Sequence, residues 1–233
     1  MSFSRAGRWL WRLALAAAAA VLLLQFWYLG WIALYRWVDP TETAFMARER
    51  ARIEQARPGA GLRHVWVGYG AISMHLKRAV VAAEDARFLE HEGVDWEAIQ
   101  KALEANRERG RPARGGSTIS QQLAKNLFLS PERSYVRKGQ ELVITYMIEA
   151  LWSKRRILEV YLNVAEWGDG VFGAEAAARH YFGTSSSRLG PEDSARLAAM
   201  LPRPKFYDRN RGSAYLAGRA GAILRYMGDT AIP

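Results

Sequence analysis

Apolar and polar positions are distributed in two regimes along this chain. From Leu13 to Tyr35 the run LALAAAAAVLLLQFWYLGWIALY carries no charge, and Gln25 is its only strongly polar member. A helix needs roughly 20 such residues to cross a bilayer, so the run predicts a transmembrane helix, taken over 13–36. Arg5, Arg8 and Arg12 precede it, while Arg36, Asp39 and Glu42 follow. The positive excess predicts a cytoplasmic tail over 1–12 and the bulk of the chain outside. Trp9 and Trp11 at one end, and Trp27, Tyr28, Trp31, Tyr35 and Trp37 at the other, read as interfacial belts. The alternative is a cleaved signal peptide. Against it, the run exceeds the usual apolar core of about 7–15 residues, and no small-x-small site follows.

Beyond the run, charged positions recur every few residues. Residues 37–60 read as a partly helical juxtamembrane linker punctuated by Pro58 and Gly59, and 61–233 as the main domain. Within it the apolar positions keep helical spacing. Leu76, Ala79, Val80 and Ala83 mark HLKRAVVAAEDARFLEH, Leu142 to Trp152 mark RKGQELVITYMIEALWSK, and Ile157, Val160, Tyr161 and Val164 mark KRRILEVYLNVAEW. EDSARLAAMLPRP reads as a short helix stopped by Pro202. Short strands are expected only around Val65 to Gly70. The fold class is therefore mainly α.

Composition adds two constraints. With 233 residues, half of them hydrophobic, the chain can bury a real core. A net charge of +10 calls for an anionic partner: nucleic acid, anionic lipid or a phosphorylated substrate. No cysteine is present, so disulfide and thiol chemistry are excluded.

Two stretches carry candidate chemistry. In VVAAEDARFLEHEGVDW, Glu84, Phe88 and His91 share one helical face if the helix continues through them. A carboxylate beside an aromatic on a half-buried face has its pKa raised towards that of a proton-transfer group. The same residues also fit a solvated acidic helix end. His91 with Asp95 suggests a metal only weakly, because the chain has four histidines and no second cluster. In RGGSTISQQLAKNLFLSPERSYVRKGQE, Thr118 and Gln121 fit a T-x-x-Q capping box. A glycine turn feeding a helix offers amides to an anion, and Lys125, Arg133, Arg137 and Lys138 follow. Together they read as a phosphate cradle.

EDARFLEHEGVD, GGSTISQQLAKN, RKGQE and KRRILEVYLN stand in the order and spacing of the peptidoglycan glycosyltransferases. These are the glycosyltransferase domains of class A penicillin-binding proteins and their stand-alone relatives. The resemblance covers roughly Arg63 to Pro204, and YLNVAEWGDGVFGAEAAARHYFG is most similar to the monofunctional biosynthetic type. No Ser-x-x-Lys or Lys-Thr-Gly is present, so no transpeptidase is expected.

The resemblance implies a lysozyme-like α-helical domain that polymerises lipid II into β-1,4-linked glycan and releases polyprenyl pyrophosphate by an inverting displacement. It implies Glu84 as general base and Glu141 as the second essential glutamate. Ser117, Gln121, Gln122, Lys125 and Arg133 would lie near the donor phosphates, with Arg137 and Lys138 in an outer ring. Asp85, Phe88 and His91 would support the site, Lys154 and Arg155 would be solvated helix charges, and Asn163 would cap or buttress. No metal site and no required cofactor are implied, although a divalent cation beside the pyrophosphate is compatible. The expected partners are lipid II, the growing lipid-linked glycan, the membrane and other cell-wall synthesis proteins, with no nucleic acid. The expected location is the bacterial cytoplasmic (inner) membrane, with the catalytic domain periplasmic. A lytic hydrolase or a non-catalytic basic membrane protein would leave the cations or the glutamates, respectively, without a role. GDGVFG, at 168–173, matches G-x-G-x-x-G, but a helical segment precedes it where the dinucleotide fingerprint needs a strand. It reads as a turn between helices.

Overall fold

The computed structural model describes residues 5–109, 116–132 and 134–233. The uncharged run folds as one helix, α1 (Arg5–Tyr35). Its segment Gly7–Tyr35 is long and apolar enough to cross a membrane. Leu13, Val21, Leu23 and Phe26 are all more than half exposed. A helix of this composition in a soluble core would be buried, so α1 fits a single-pass membrane anchor.

Pro40 to Pro233 fold as a separate unit. In chain order it contains α2 (Ala44–Ala56), β1 (Arg63–His64), α3 (Met74–Glu84), α4 (Trp96–Arg109), α5 (Ile119–Phe128), α6 (Tyr135–Leu151) and α7 (Lys154–Val164). Then follow β2 (Glu166–Gly168), β3 (Val171–Phe172), α8 (Ala174–Phe182), α9 (Pro191–Met200), α10 (Pro204–Arg209) and α11 (Ala214–Tyr226). The mainly α expectation holds. α3 packs on α9, which also takes α11, while α5 lies on α6 and α7; these helices carry Leu76, Val80, Ile119, Leu123, Ile144, Ile148 and Ile157. Those side chains are fully buried. Asn163 does buttress, as expected: its side chain accepts from the Val67 N–H at 3.0 Å and donates to the Val67 carbonyl at 2.9 Å.

Three expectations change. The strand lies at Arg63–His64, and Tyr69–Ala71 is a 3₁₀ turn. GDGVFG forms a β-hairpin in which β2 and β3 run antiparallel, with β1 parallel to β3 on its other side. Asp169-Gly170 makes its two-residue loop, a pairing that signals hairpins. Gly170 sits at φ +71°, and a Cβ there would come within 2.6 Å of Ile53 Cδ1. That close approach belongs to α2, inside the stretch 37–60 expected to be a linker. Instead, from Pro40 onward this stretch is part of the folded unit. Thr43 caps α2 by accepting from the Met46 N–H at 3.1 Å, and Met46, Glu49 and Ile53 are buried.

Glu49 draws α2 onto the hairpin and α10. It pairs with Arg52 and accepts from Lys205 Nζ at 2.6 Å, and the same ammonium lies 3.3 Å from Glu166 Oε1. Burial pushes Glu166 up to about 7; Lys205 works against the shift and Glu49 reinforces it. A carboxyl raised this way holds its proton in the folded state after the unfolded chain has lost it. Stability should therefore fall as pH rises from the ordinary carboxyl range through about 7, then level off. Glu166→Gln is expected to remove that slope. Comparing melting at pH 5 and pH 8, the wild type should lose about 2–3 kcal/mol more than the variant.

Candidate active site

Ser73 starts α3 by accepting the His75 N–H, and the helix stops at Glu84. It does not continue to His91 as its spacing suggested. Asp85 leaves the helix at φ −161° because both of its oxygens are held from outside. The Ile119 N–H of α5 donates to Oδ2 at 3.0 Å, and His91 Nε2 lies 2.9 Å from Oδ1. The Gly93 N–H points at His91 Nδ1 at 3.1 Å, so the ring proton belongs on Nε2, donated to Asp85. Gly93, at φ +91°, sits where a Cβ would come within 2.7 Å of Thr145. Its carbonyl accepts from the Thr118 hydroxyl at 2.6 Å. Asp85, His91 and Gly93 thus lock the end of α3 to the start of α5.

Phe88 is fully buried in the turn, edge-on to His91 with Lys154 Nζ 4.7 Å from its ring centroid. Phe88 and His91 therefore shape the turn and do not share a helical face with Glu84. Lys154 is not a solvated charge either: it donates to the His91 carbonyl at 2.6 Å and to Glu149 Oε1 at 2.8 Å. Arg155 is exposed, stacked over Tyr69. The pairing suggested for a metal is also otherwise engaged, because Asp95 accepts the Ala98 N–H of α4. Among the described residues no cluster of three or more His, Cys, Asp or Glu could hold an ion.

Glu84 itself is only 11% exposed in its side chain. Gln122 Nε2 of α5 donates to Oε2 at 2.9 Å, and Gln122 Oε1 in turn accepts from the buried Tyr161 hydroxyl of α7 at 3.0 Å. Arg219 of α11 reaches within 3.5 Å of Oε1, which accepts no hydrogen bond among the described residues. Burial raises the Glu84 pKa, with Gln122 and then Arg219 acting against it. The result is a carboxylate held on one oxygen by Gln122, with the other buried beside Arg219 and free of hydrogen bonds, suited to taking a proton. A cleft of about 400 Å³ joins Glu84 to Gly116, Ser117 and Thr118. Tyr161 and Arg219 escaped the sequence reading. Tyr161 read as a core position, and an arginine on a distant helix has no local signature.

The T-x-x-Q box forms as expected: Gln121 accepts the Thr118 N–H at 3.2 Å, and the Thr118 hydroxyl accepts the Gln121 N–H at 3.2 Å. This overturns part of the phosphate cradle. With Ile119 donating to Asp85 as well, three amides at the start of α5 already have partners. Gln121 is buried in its capping role, while Ser117 stays exposed beside the cleft. The cations gather one turn further on. Lys125 lies within electrostatic reach of Glu141, Arg137, Lys138 and Glu84, and burial holds its pKa below the usual lysine range. Glu141, only 3% exposed, accepts from Arg137 at 2.5 Å and pairs with Lys138, so it fixes two of these cations. Arg133 lies outside the described residues.

The site therefore combines a buried carboxylate with a gathered set of cations on neighbouring helices. The model of the transglycosylase family matches residues 50–228. A biosynthetic peptidoglycan transglycosylase of Dechloromonas aromatica (strain RCB) is 58% identical over 227 residues, covering 97% of this chain and 98% of the relative. Proteins of the same description from Azoarcus sp. (strain BH72) and Bordetella pertussis (strain Tohama I / ATCC BAA-589 / NCTC 13251) are 59% and 56% identical. They cover 97% and 94% of this chain, and 97% and 92% of their own lengths. With the family model spanning most of the chain and relatives matched nearly end to end, this chain belongs to the transglycosylase family and is a peptidoglycan glycosyltransferase of cell-wall synthesis.

Proposed function

We propose that the enzyme polymerises lipid II into β-1,4-linked glycan, inverting the donor's anomeric carbon and releasing polyprenyl pyrophosphate. The observation that carries this is the placement of Glu84: one oxygen is held by Gln122, the other is free of hydrogen bonds, and the Lys125 group lies within electrostatic reach. A sugar hydroxyl is a weak nucleophile, so the acceptor's 4-hydroxyl must lose its proton as it attacks. Glu84 takes that proton. A pyrophosphate departs as a stable anion and needs neutralisation instead of protonation. Lys125, Arg137 and Lys138 supply it, Arg133 joining them by motif, and Glu141 holds Arg137 and Lys138 in place. A divalent cation would act in the same sense. Hydrolysis of a phosphate-free glycan would need a carboxylic acid for the leaving alkoxide and gives these cations no role.

The test is incubation of the full-length protein with labelled lipid II, with and without added muramidase. Muramidase-sensitive polymer is expected. Cleavage of purified glycan strands without polymer formation would overturn the assignment.

On this reading α1 tethers the enzyme to the membrane that holds its substrate, raising effective concentration. Arg5, Arg8 and Arg12, ahead of the apolar run within α1, support a cytoplasmic N-terminus. A reporter fused after Pro233 is expected to be active only outside the cytoplasm, and the protein should retain its first residues. A mature chain beginning near Thr41 would contradict the anchor.

A further inference from the structure

One side chain of α2 reaches the cation group. Phe45 is half-buried, and its ring centroid lies 5.5 Å from Lys125 Nζ. That is inside the roughly 6 Å over which a ring face attracts a cation. The placement does not depend on this contact, because the Thr43 cap, the buried Met46 and Ile53, and the Glu49–Lys205 pair fix α2 by other means. Arg137 and Lys138 both bind the carboxylate of Glu141. Among the described residues no carboxylate lies within 4.0 Å of the Lys125 ammonium. Phe45 also precedes the stretch 50–228 that the family model matches.

We propose that Phe45 is a positioning residue for Lys125, its ring face backing the ammonium and presenting it to the pyrophosphate of the lipid-linked donor. The inference rests on the assignment of Lys125 to that pyrophosphate. A carboxylate in the place of Phe45 would restrain the lysine equally well, but it would cancel the charge the phosphate needs. A ring face restrains the flexible four-carbon stem and leaves the net charge intact. The lysine then has less freedom to lose when the anion arrives, and that saving appears as affinity. Because the ring acts on a binding group and not on the base, its removal should weaken donor binding more than it slows turnover of bound substrate.

The experiment uses full-length protein in proteoliposomes, with steady-state polymerisation of lipid II and direct binding of polyprenyl pyrophosphate as readouts. Phe45→Leu keeps an apolar side chain of similar bulk and loses the ring; Phe45→Tyr keeps the ring. Phe45→Leu is expected to weaken pyrophosphate binding about fivefold with most of the loss in KM, and Phe45→Tyr to stay within about twofold of wild type. On a Lys125→Ala background, where binding is still measurable without turnover, Phe45→Leu should have no further effect. Equal losses in the Leu and Tyr variants, wild-type binding by Phe45→Leu, or the same fold loss with and without Lys125 would each overturn the inference. Wild-type binding and turnover by Lys125→Ala would overturn the phosphate assignment itself, whatever the Phe45 variants do.

Discussion

Glu84→Gln is expected to lower lipid II polymerisation by about 10²–10⁴-fold while leaving the fold intact. The glutamine keeps the size of the side chain, and its oxygen can still accept the 2.9 Å hydrogen bond from Gln122. What it loses is the capacity to accept a proton. The pH profile carries the second half of this expectation. A general base works only when ionised, so kcat/KM falls as pH drops through its pKa. Burial lifts the Glu84 pKa above the ordinary 4.5, so the acid limb should lie above that value. Arg219 opposes the shift, and Arg219→Gln should therefore move the limb to still higher pH. Near-wild-type polymerisation by Glu84→Gln would remove the base assignment. An acid limb unmoved by Arg219→Gln would separate Arg219 from the titration of Glu84.

Glu141→Gln should also be damaging, for a different reason. Glu141 is buried and accepts from both Arg137 and Lys138. Removing its charge leaves two cations in a half-buried cluster that already contains Lys125; because Lys138 is half exposed, the stability cost should fall below the roughly 3–5 kcal/mol of breaking a fully buried pair. The cations are then free to separate, and the pyrophosphate loses its prearranged partners. A loss of polymerisation on the order of 10²-fold is expected, comparable with removing one stabilising donor from a transition-state site. The pH limb assigned to Glu84 should stay close to its wild-type position, because Glu141 is not the base. Measuring melting alongside the profile separates the two contributions. A variant that loses only stability, with full turnover at low temperature, would make Glu141 structural alone.

Much of the site was legible in the sequence because its chemistry is written in short local patterns. Thr118 and Gln121 form their capping box from contacts within one helical turn. Glu141 reaches Arg137 and Lys138 along a single helix, where i,i+3 and i,i+4 neighbours must meet. The uncharged run of α1 declares itself by length alone. Asp169-Gly170 also carried a hairpin signal, which the glycine spacing around it obscured.

The rest depended on partners brought from elsewhere in the chain. Helical spacing favoured continuing α3 to His91, but Asp85 is captured by an amide of α5 and by the imidazole, and those tertiary bonds end the helix at Glu84. The Asp85 bond and the capping box together occupy amides of α5 that the sequence offered to an anion, so on the proposed reading the charge of Lys125 and its neighbours does that work. Arg219 is one of 33 basic residues, and nothing near it in sequence marks it out until α11 carries it to Glu84. Likewise Glu49 and Phe45 read as parts of a charged linker until α2 docks one against Lys205 and the other against Lys125. Periodicity and capping are properties of consecutive residues, so the chain alone determines most of its helices, the membrane-spanning length of α1 and the residue types of its site. Burial, the shifted affinity of Glu84 for its proton and the choice of its neighbours arise only when helices distant in sequence exclude water from the same place.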